Sequence, residues 1–163
     1  MNPEWYTTLI DYNYWARDRV WQCILTLDEE QFTRDLGYSW RSIHGQVVHT
    51  MSAEWIWFSR FSGVSPTGFL SLEDFPTREA VYAEWQTVEA LARDFVQRLT
   101  PDLLQSDLHY SATNGTPQVA PLWHLLSHVL NHSTDHRAQT LAMLHQLGAP
   151  SVEQDMIIYF RNP

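Results

Sequence analysis

Through four long stretches of this chain, apolar residues recur at alternating three- and four-residue steps, a period that fits helices and little else. In the first stretch, from about Pro3 to Leu27, the stripe is Trp5, Leu9, Tyr12, Ala16, Val20 and Ile24. A short turn follows, with Asp28 and Gln31 at capping-box spacing. The second stretch starts after Ser42 and runs to about Phe61. It is apolar on most sides (Ile43, Val47, Val48, Met51, Trp55, Ile56, Trp57, Phe58), so several neighbours are expected to bury it. The third is capped near Thr77 and carries a one-sided stripe of Val81, Trp85, Val88, Ala92, Phe95 and Leu99. The fourth opens at Pro121, a residue suited to a first helical position, and runs to about Leu147, where Gly148 and Pro150 stop it. The connection from Thr100 to Ala120 contains Asn114-Gly115, a turn signal able to close a small hairpin, although Pro117 weakens a strand there. A short element, "SVEQDMIIYF", closes the chain. The expected fold is all-α: an antiparallel four-helix bundle with a long connection between the third and fourth helices, in a single domain over 1–163.

A chain of 163 residues can bury a core without staples. Its one cysteine, Cys23, excludes an intramolecular disulfide and a cysteine-based zinc ribbon; near the core stripe of the first helix, it reads as an inert buried thiol. The opening "MNPEWYTTLIDYNYWARDRV" mixes charges into its apolar pattern, so neither a signal peptide nor a membrane span is expected, and the location expected is cytoplasmic. The net charge is −9 and all ten basic residues are arginine. No concentrated positive surface is available for nucleic acid or an anionic membrane. Without lysine there is no Schiff-base chemistry and no Walker-type phosphate loop. Eight Trp, seven Tyr and seven Phe supply large anchors for a core or a pocket.

The fourth helix carries the chemistry. In "HLLSHVLNHSTDHRAQ", histidines stand at 124, 128, 132 and 136. Residues four apart lie about 40° apart around a helix and one turn along it, so two of them reach one ion, but four drift off any single face. Against the apolar stripe of Leu122, Leu126, Val129, Leu144 and Leu147, His136 lies within about 40° and His132 within about 80°, while His128 and His124 rotate outward. Two imidazoles leave a site incomplete, because catalytic zinc usually has three protein ligands and an open position. His49, midway along the buried second helix, is the best candidate for the third. His44 is about 140° from it and cannot share the site; His109 and His145 do not look like ligands. Beside these readings stand plainer ones: a lone histidine such as His49 is more often a satisfied core residue, and Glu54 and Asp135, although able to handle protons, are carboxylates of a kind usually solvated.

The pattern resembles the DinB-like (YfiT-like) family of metalloenzymes over nearly the whole chain. The resemblance rests on "DYNYWARDRV", "SIHGQVVHTMSAEWIWFSR", "HVLNHSTDHRAQTLAMLHQLG" and "PSVEQDMIIYF". Family members usually read His-x-x-x-His-Arg-Gly-Gln in the fourth helix; this chain has Ala138 in place of the glycine. The resemblance implies a four-helix bundle, often dimeric, with zinc, nickel or a similar divalent ion on His49, His132 and His136. It also implies chemistry akin to thiol S-transferases and isomerases that use bacillithiol, mycothiol or glutathione-type cofactors. The function expected is a metal-dependent, low-molecular-weight thiol S-transferase in stress or detoxification, a homodimer acting on a thiol and an electrophile. A metal-bound thiol would be deprotonated to a nucleophile. The electrophile would lie against aromatic residues such as Trp57, with His128 orienting a ligand or shuttling a proton, and Arg137 pairing with a carboxylate such as Asp155. The alternatives are a metal-dependent hydrolase, which would activate water instead, and a non-catalytic metal-binding stress-response protein.

Overall fold

The protein is described here by a computed structural model covering residues 2–161. Three of the four long helices begin where a polar side chain satisfies free backbone N–H groups. Asn2 caps α1 (Pro3–Ile24) by accepting from Glu4 N at 2.9 Å, with Pro3 in the first helical position. Ser42 caps α3 (Ile43–Phe61) and Thr77 caps α4 (Arg78–Gln97). The Asp28–Gln31 capping box is present in both directions and opens a short helix, α2 (Glu29–Thr33), where only a turn was expected. Helix α1 stops three residues short of Leu27, because Thr26 N and Leu27 N bond to the carbonyls of Cys23 and Ile24, three residues back, which tightens the last turn.

The helix opened by Thr100 and Pro101 is also short, α5 (Pro101–Gln105), and it leads into a hairpin. Strand β1 (Asp107–Ser111) pairs antiparallel with β2 (Pro117–Pro121), Asp107 facing Pro121 and Ser111 facing Pro117. The expectation of an all-α chain is therefore corrected. The Asn114-Gly115 signal does close a hairpin, with Gly115 at φ 83°, and Pro117 is tolerated because it starts a strand of a two-stranded sheet in which each strand is an edge. Pro121 ends β2 and does not open the last long helix, α6 (Leu122–Gln146). That helix ends in a Schellman motif: Gly148 (φ 69°) N–H bonds to His145 O and Ala149 N–H to Leu144 O. A last helix, α7 (Met156–Arg161), lays Tyr159 and Phe160 against Tyr12, Trp15 and Trp5 of α1.

Helix α1 packs against α4 and α6, and α3 packs against the same two, so the four long helices form a closed ring of contacts around one core. Ile10, Ile24, Met51, Phe58, Leu126 and Leu144 are at most 1% exposed. Burying each stabilises the fold by about 1.5–3 kcal/mol. Helix α3 also touches α2, which accounts for an apolar character on most of its sides. Among the described residues, no helix is long and apolar enough to cross a membrane.

Candidate metal centre

His49 lies midway along α3, and His132 and His136 lie one turn apart on α6, the helix that α3 packs against. Their ring centroids are 4.2–5.3 Å apart, and one nitrogen from each falls within 4.8 Å of the other two. His132 Nε2 and His136 Nε2 approach to 3.1 Å. Ligand nitrogens around one tetrahedral zinc sit about 3.4 Å apart for bonds of about 2.0–2.1 Å, so this spacing fits an ion.

The electrostatics favour ligation too. Burial pulls the His49 pKa down to about 3, helped by His136 and His132. Burial takes His132 to about 4, with His136 and His128 adding and Asp135 opposing. His136 is lowered by burial against Gln139 and Asp135. Near neutrality all three rings are therefore unprotonated, the form that offers a lone pair to a metal. The Nδ1 of His132 is buried without a hydrogen-bond partner. Three clustered neutral imidazoles suit zinc, nickel and similar divalent ions.

Around the rings is a shell of supporting contacts that the sequence reading missed. The Gln46 amide lies 2.6 Å from His136 Nδ1 and donates to Gln139 Oε1 at 3.0 Å, and Ser39 Oγ donates to the same oxygen at 2.8 Å. Such contacts fix which ring nitrogen faces the centre. Trp40 stacks on His49, centroids 3.9 Å apart and planes 17° from parallel. Ser39 and Arg41, on either side of Trp40, hold left-handed φ values of 47° and 68°, a strain of about 1–3 kcal/mol each. Gly45 makes the approach possible, since a Cβ there would lie 2.2 Å from Trp40 O.

Two clefts flank the histidine cluster, His132 lining one and His49 the other. One, of about 340 Å³, is lined by Trp57, Arg60, Phe69, Tyr110, His128 and His132. The other, of about 310 Å³, is lined by Trp40, Val48, His49 and Phe69, so Phe69 borders both. The hairpin supplies one wall of the larger cleft through Tyr110 and Gln118, which gives the long connection a structural purpose.

The remaining expected residues separate cleanly. His128 is exposed, one turn from His132, with its ring 5.3 Å from Trp57 in the larger cleft. His124 is exposed beside Trp123. His44 is buried elsewhere, its Nε2 2.7 Å from Phe75 O and its ring against Phe32. His109 on β1 and His145 at the end of α6 are exposed. Cys23 is buried, and burial raises its thiol pKa against the pull of Arg19, as an inert thiol requires.

Two expectations fail. Glu54 is not solvated: its carboxylate is buried and accepts from Asn13, Ser133 and Trp85, tying α3 to α1, α6 and α4, while Asp135 is exposed. Arg137 does not use Asp155; it donates to Gln154, Thr134 and Asn13, because it is buried on the α1 side of α6, where those acceptors lie. The signal for Gln46, Glu54 and Arg60 was available, since each is a polar residue inside a helix otherwise apolar on most sides.

The chain is 26% identical over 156 residues to Protein DinB of Bacillus subtilis (strain 168), an alignment covering 93% of this chain and 91% of that protein. The model of the DinB family matches residues 1–162. On that match over nearly its whole length, and with three histidines gathered between α3 and α6, the chain belongs to the DinB family.

Proposed function

We propose that the protein is a metal-dependent enzyme, with zinc or nickel held by His49, His132 and His136, and that it transfers a low-molecular-weight thiol to an electrophile. The observation that carries the reading is a cluster of three neutral imidazoles of which His132 lines one open, aromatic-lined cleft and His49 another. A purely structural ion would be closed in by a fourth protein ligand, whereas three ligands beside a cleft leave a position for a small molecule. When bound, the ion would acidify a coordinated thiol, supplying a thiolate at neutral pH.

The chain's own residues have the other roles. Gln46 orients the His136 ring, and Trp40 covers His49 and keeps bulk water from that side. Trp57 and Phe69 offer apolar faces to the electrophile. His128, whose ring packs against Trp57 in the same cleft and whose pKa is lowered by that partial desolvation, is placed to accept or return a proton. We read the ring of four long helices as an antiparallel four-helix bundle, whose facing helices are a usual place for such sites. Homodimerisation, a cytoplasmic location and a role in stress or detoxification belong to the same proposal.

The test is elemental analysis of the purified protein, followed by turnover of model electrophiles with and without a panel of small thiols. Stoichiometric metal and thiol-dependent conversion are expected. Thiol-independent hydrolysis would assign the same ion to water activation. A metal-free protein after incubation with zinc and nickel would overturn the reading.

A further inference from the structure

Arg60 stands in the last turn of α3 and is 6% exposed. Of the other buried arginines, Arg17 pairs with Asp18 and Glu89, and Arg137 bonds to Asn13, Gln154 and Thr134. Arg60 has no carboxylate and no hydrogen-bond acceptor among the described residues, and its Nε is buried and unpartnered. Leaving that buried Nε–H without an acceptor is costly, and the remaining N–H groups of the guanidinium have no acceptor among the described residues either. Two ring faces, Trp57 at 4.6 Å and Tyr110 at 5.0 Å, account for the burial of the cation but take none of those donors. Burial lowers the Arg60 pKa from its ordinary value, with only Tyr110 opposing, as for a cation lacking a counter-charge.

The surroundings narrow what could complete it. The cleft that Arg60 lines has no Asp or Glu on its wall, in a chain whose net charge is −9. His132 lines the same cleft. Arg60 is eleven residues beyond His49 on α3, which puts the two about 20° apart around the helix and about 16 Å along it. The Arg60 side chain shortens that gap, because it leans back over Trp57, one turn nearer the histidines.

We propose that Arg60 is an anion-binding residue of this cleft, and that the small molecule taken there carries a carboxylate at the Arg60 end and an apolar body against Trp57, with its other end beside His132. The inference rests on reading the histidine cluster as a metal-dependent site and specifies its substrate class: a thiol or electrophile bearing a carboxylate satisfies both ends of the cleft. A planar fork suits a carboxylate, which it can hold through two parallel N–H···O bonds.

The test compares phenylpropionate with its uncharged amide by calorimetric titration, on metal-free protein and again after zinc loading. Metal-free wild-type protein is expected to prefer the acid by about ten-fold or more. Arg60→Met, which keeps the apolar stem against Trp57, should shrink that preference to less than about two-fold. If Arg60→Met does not fold, Arg60→Gln gives the same comparison. Equal binding of acid and amide to wild type, a preference that survives loss of the guanidinium, or no binding of the acid at about 10 mM would each overturn the proposal. Failure of the metal reading looks different: zinc would not bind, while the preference for the acid in metal-free protein would stand.

Discussion

Replacing Glu54 with alanine should destabilise the fold by about 3–5 kcal/mol, a magnitude set by what the carboxylate holds. Three donors end on it: Asn13 Nδ2 at 3.0 Å, Ser133 Oγ at 2.7 Å and Trp85 Nε1 at 2.7 Å. Ser133 has a second acceptor in Val129 O at 3.0 Å and loses little. Asn13 Nδ2 and Trp85 Nε1 are left buried and unsatisfied, at about 1–3 kcal/mol each. Arg137, itself buried, also loses the favourable field of Glu54. For a chain of this size each kcal/mol moves the melting temperature by about 2–4 °C, so a fall of about 10 °C is expected. Urea unfolding measures the loss directly. Glu54→Gln should be intermediate, because its amide nitrogen must face one of the donors. The sharper test is the cycle with Trp85→Phe. If the unpaired indole N–H carries the cost, the double variant should be more stable than the sum of the singles by about 1 kcal/mol or more. A Glu54→Ala loss below about 1 kcal/mol, or strict additivity in the cycle, would refute this account.

The other expectations concern the site and its supports. His49→Ala, His132→Ala and His136→Ala should each abolish stoichiometric zinc, while His124→Ala, on an exposed ring, should leave metal per chain unchanged and His128→Ala should change it little, as read by elemental analysis. In metal-free protein the folded-state pKa values of His49 (about 3) and His132 (about 4) lie below the unfolded value of about 6.5, so the unfolded chain takes up protons that the native one refuses. Stability should be independent of these groups above about pH 6.5 and should fall as pH drops toward 4 and 3. Urea midpoints between about pH 6.5 and 5, above most carboxylate titration, should flatten in His49→Gln; an unchanged slope would show that His49 is not held neutral. Gly45→Ala would bring a Cβ against a backbone carbonyl at 2.2 Å. It should displace Trp40 from His49 and weaken zinc binding by about 10–100-fold, the range for lost supporting contacts; unchanged affinity would mean the stack on His49 is incidental.

The helices and the inner histidine pair were legible because both follow from one period. A stripe of apolar residues on α6 gives the direction of the core, and the same 100° step gives the direction of each ring. His49 was harder, since a single histidine has no partner in its own helix, and its choice rested on its place midway along a helix apolar on most sides. The hairpin was half legible: Asn114-Gly115 gave the turn, but Pro117 told against a strand only if that strand needed a donor on both sides. The loop from Gly37 to Arg41 left no mark. Left-handed φ at Ser39 and Arg41 has no composition of its own, and the stack of Trp40 on His49 depends on a close approach that only the backbone at Gly45 reveals.

Glu54 and Arg60 pose the same question to a reader of the sequence and receive opposite answers from the structure. Both are charged residues inside a helix that is apolar on most sides, and both are buried. Both carboxylate oxygens of Glu54 are met by donors on other helices, so its charge closes the fold around itself. Arg60 is met only by ring faces, and its donors open onto a cleft shared with His132. A buried charge completed by the chain stabilises one arrangement of helices. One left incomplete beside a group of neutral imidazoles is retained for a partner from solution. The difference is visible only when the acceptors are counted, and it separates two residues that hydropathy places in one class.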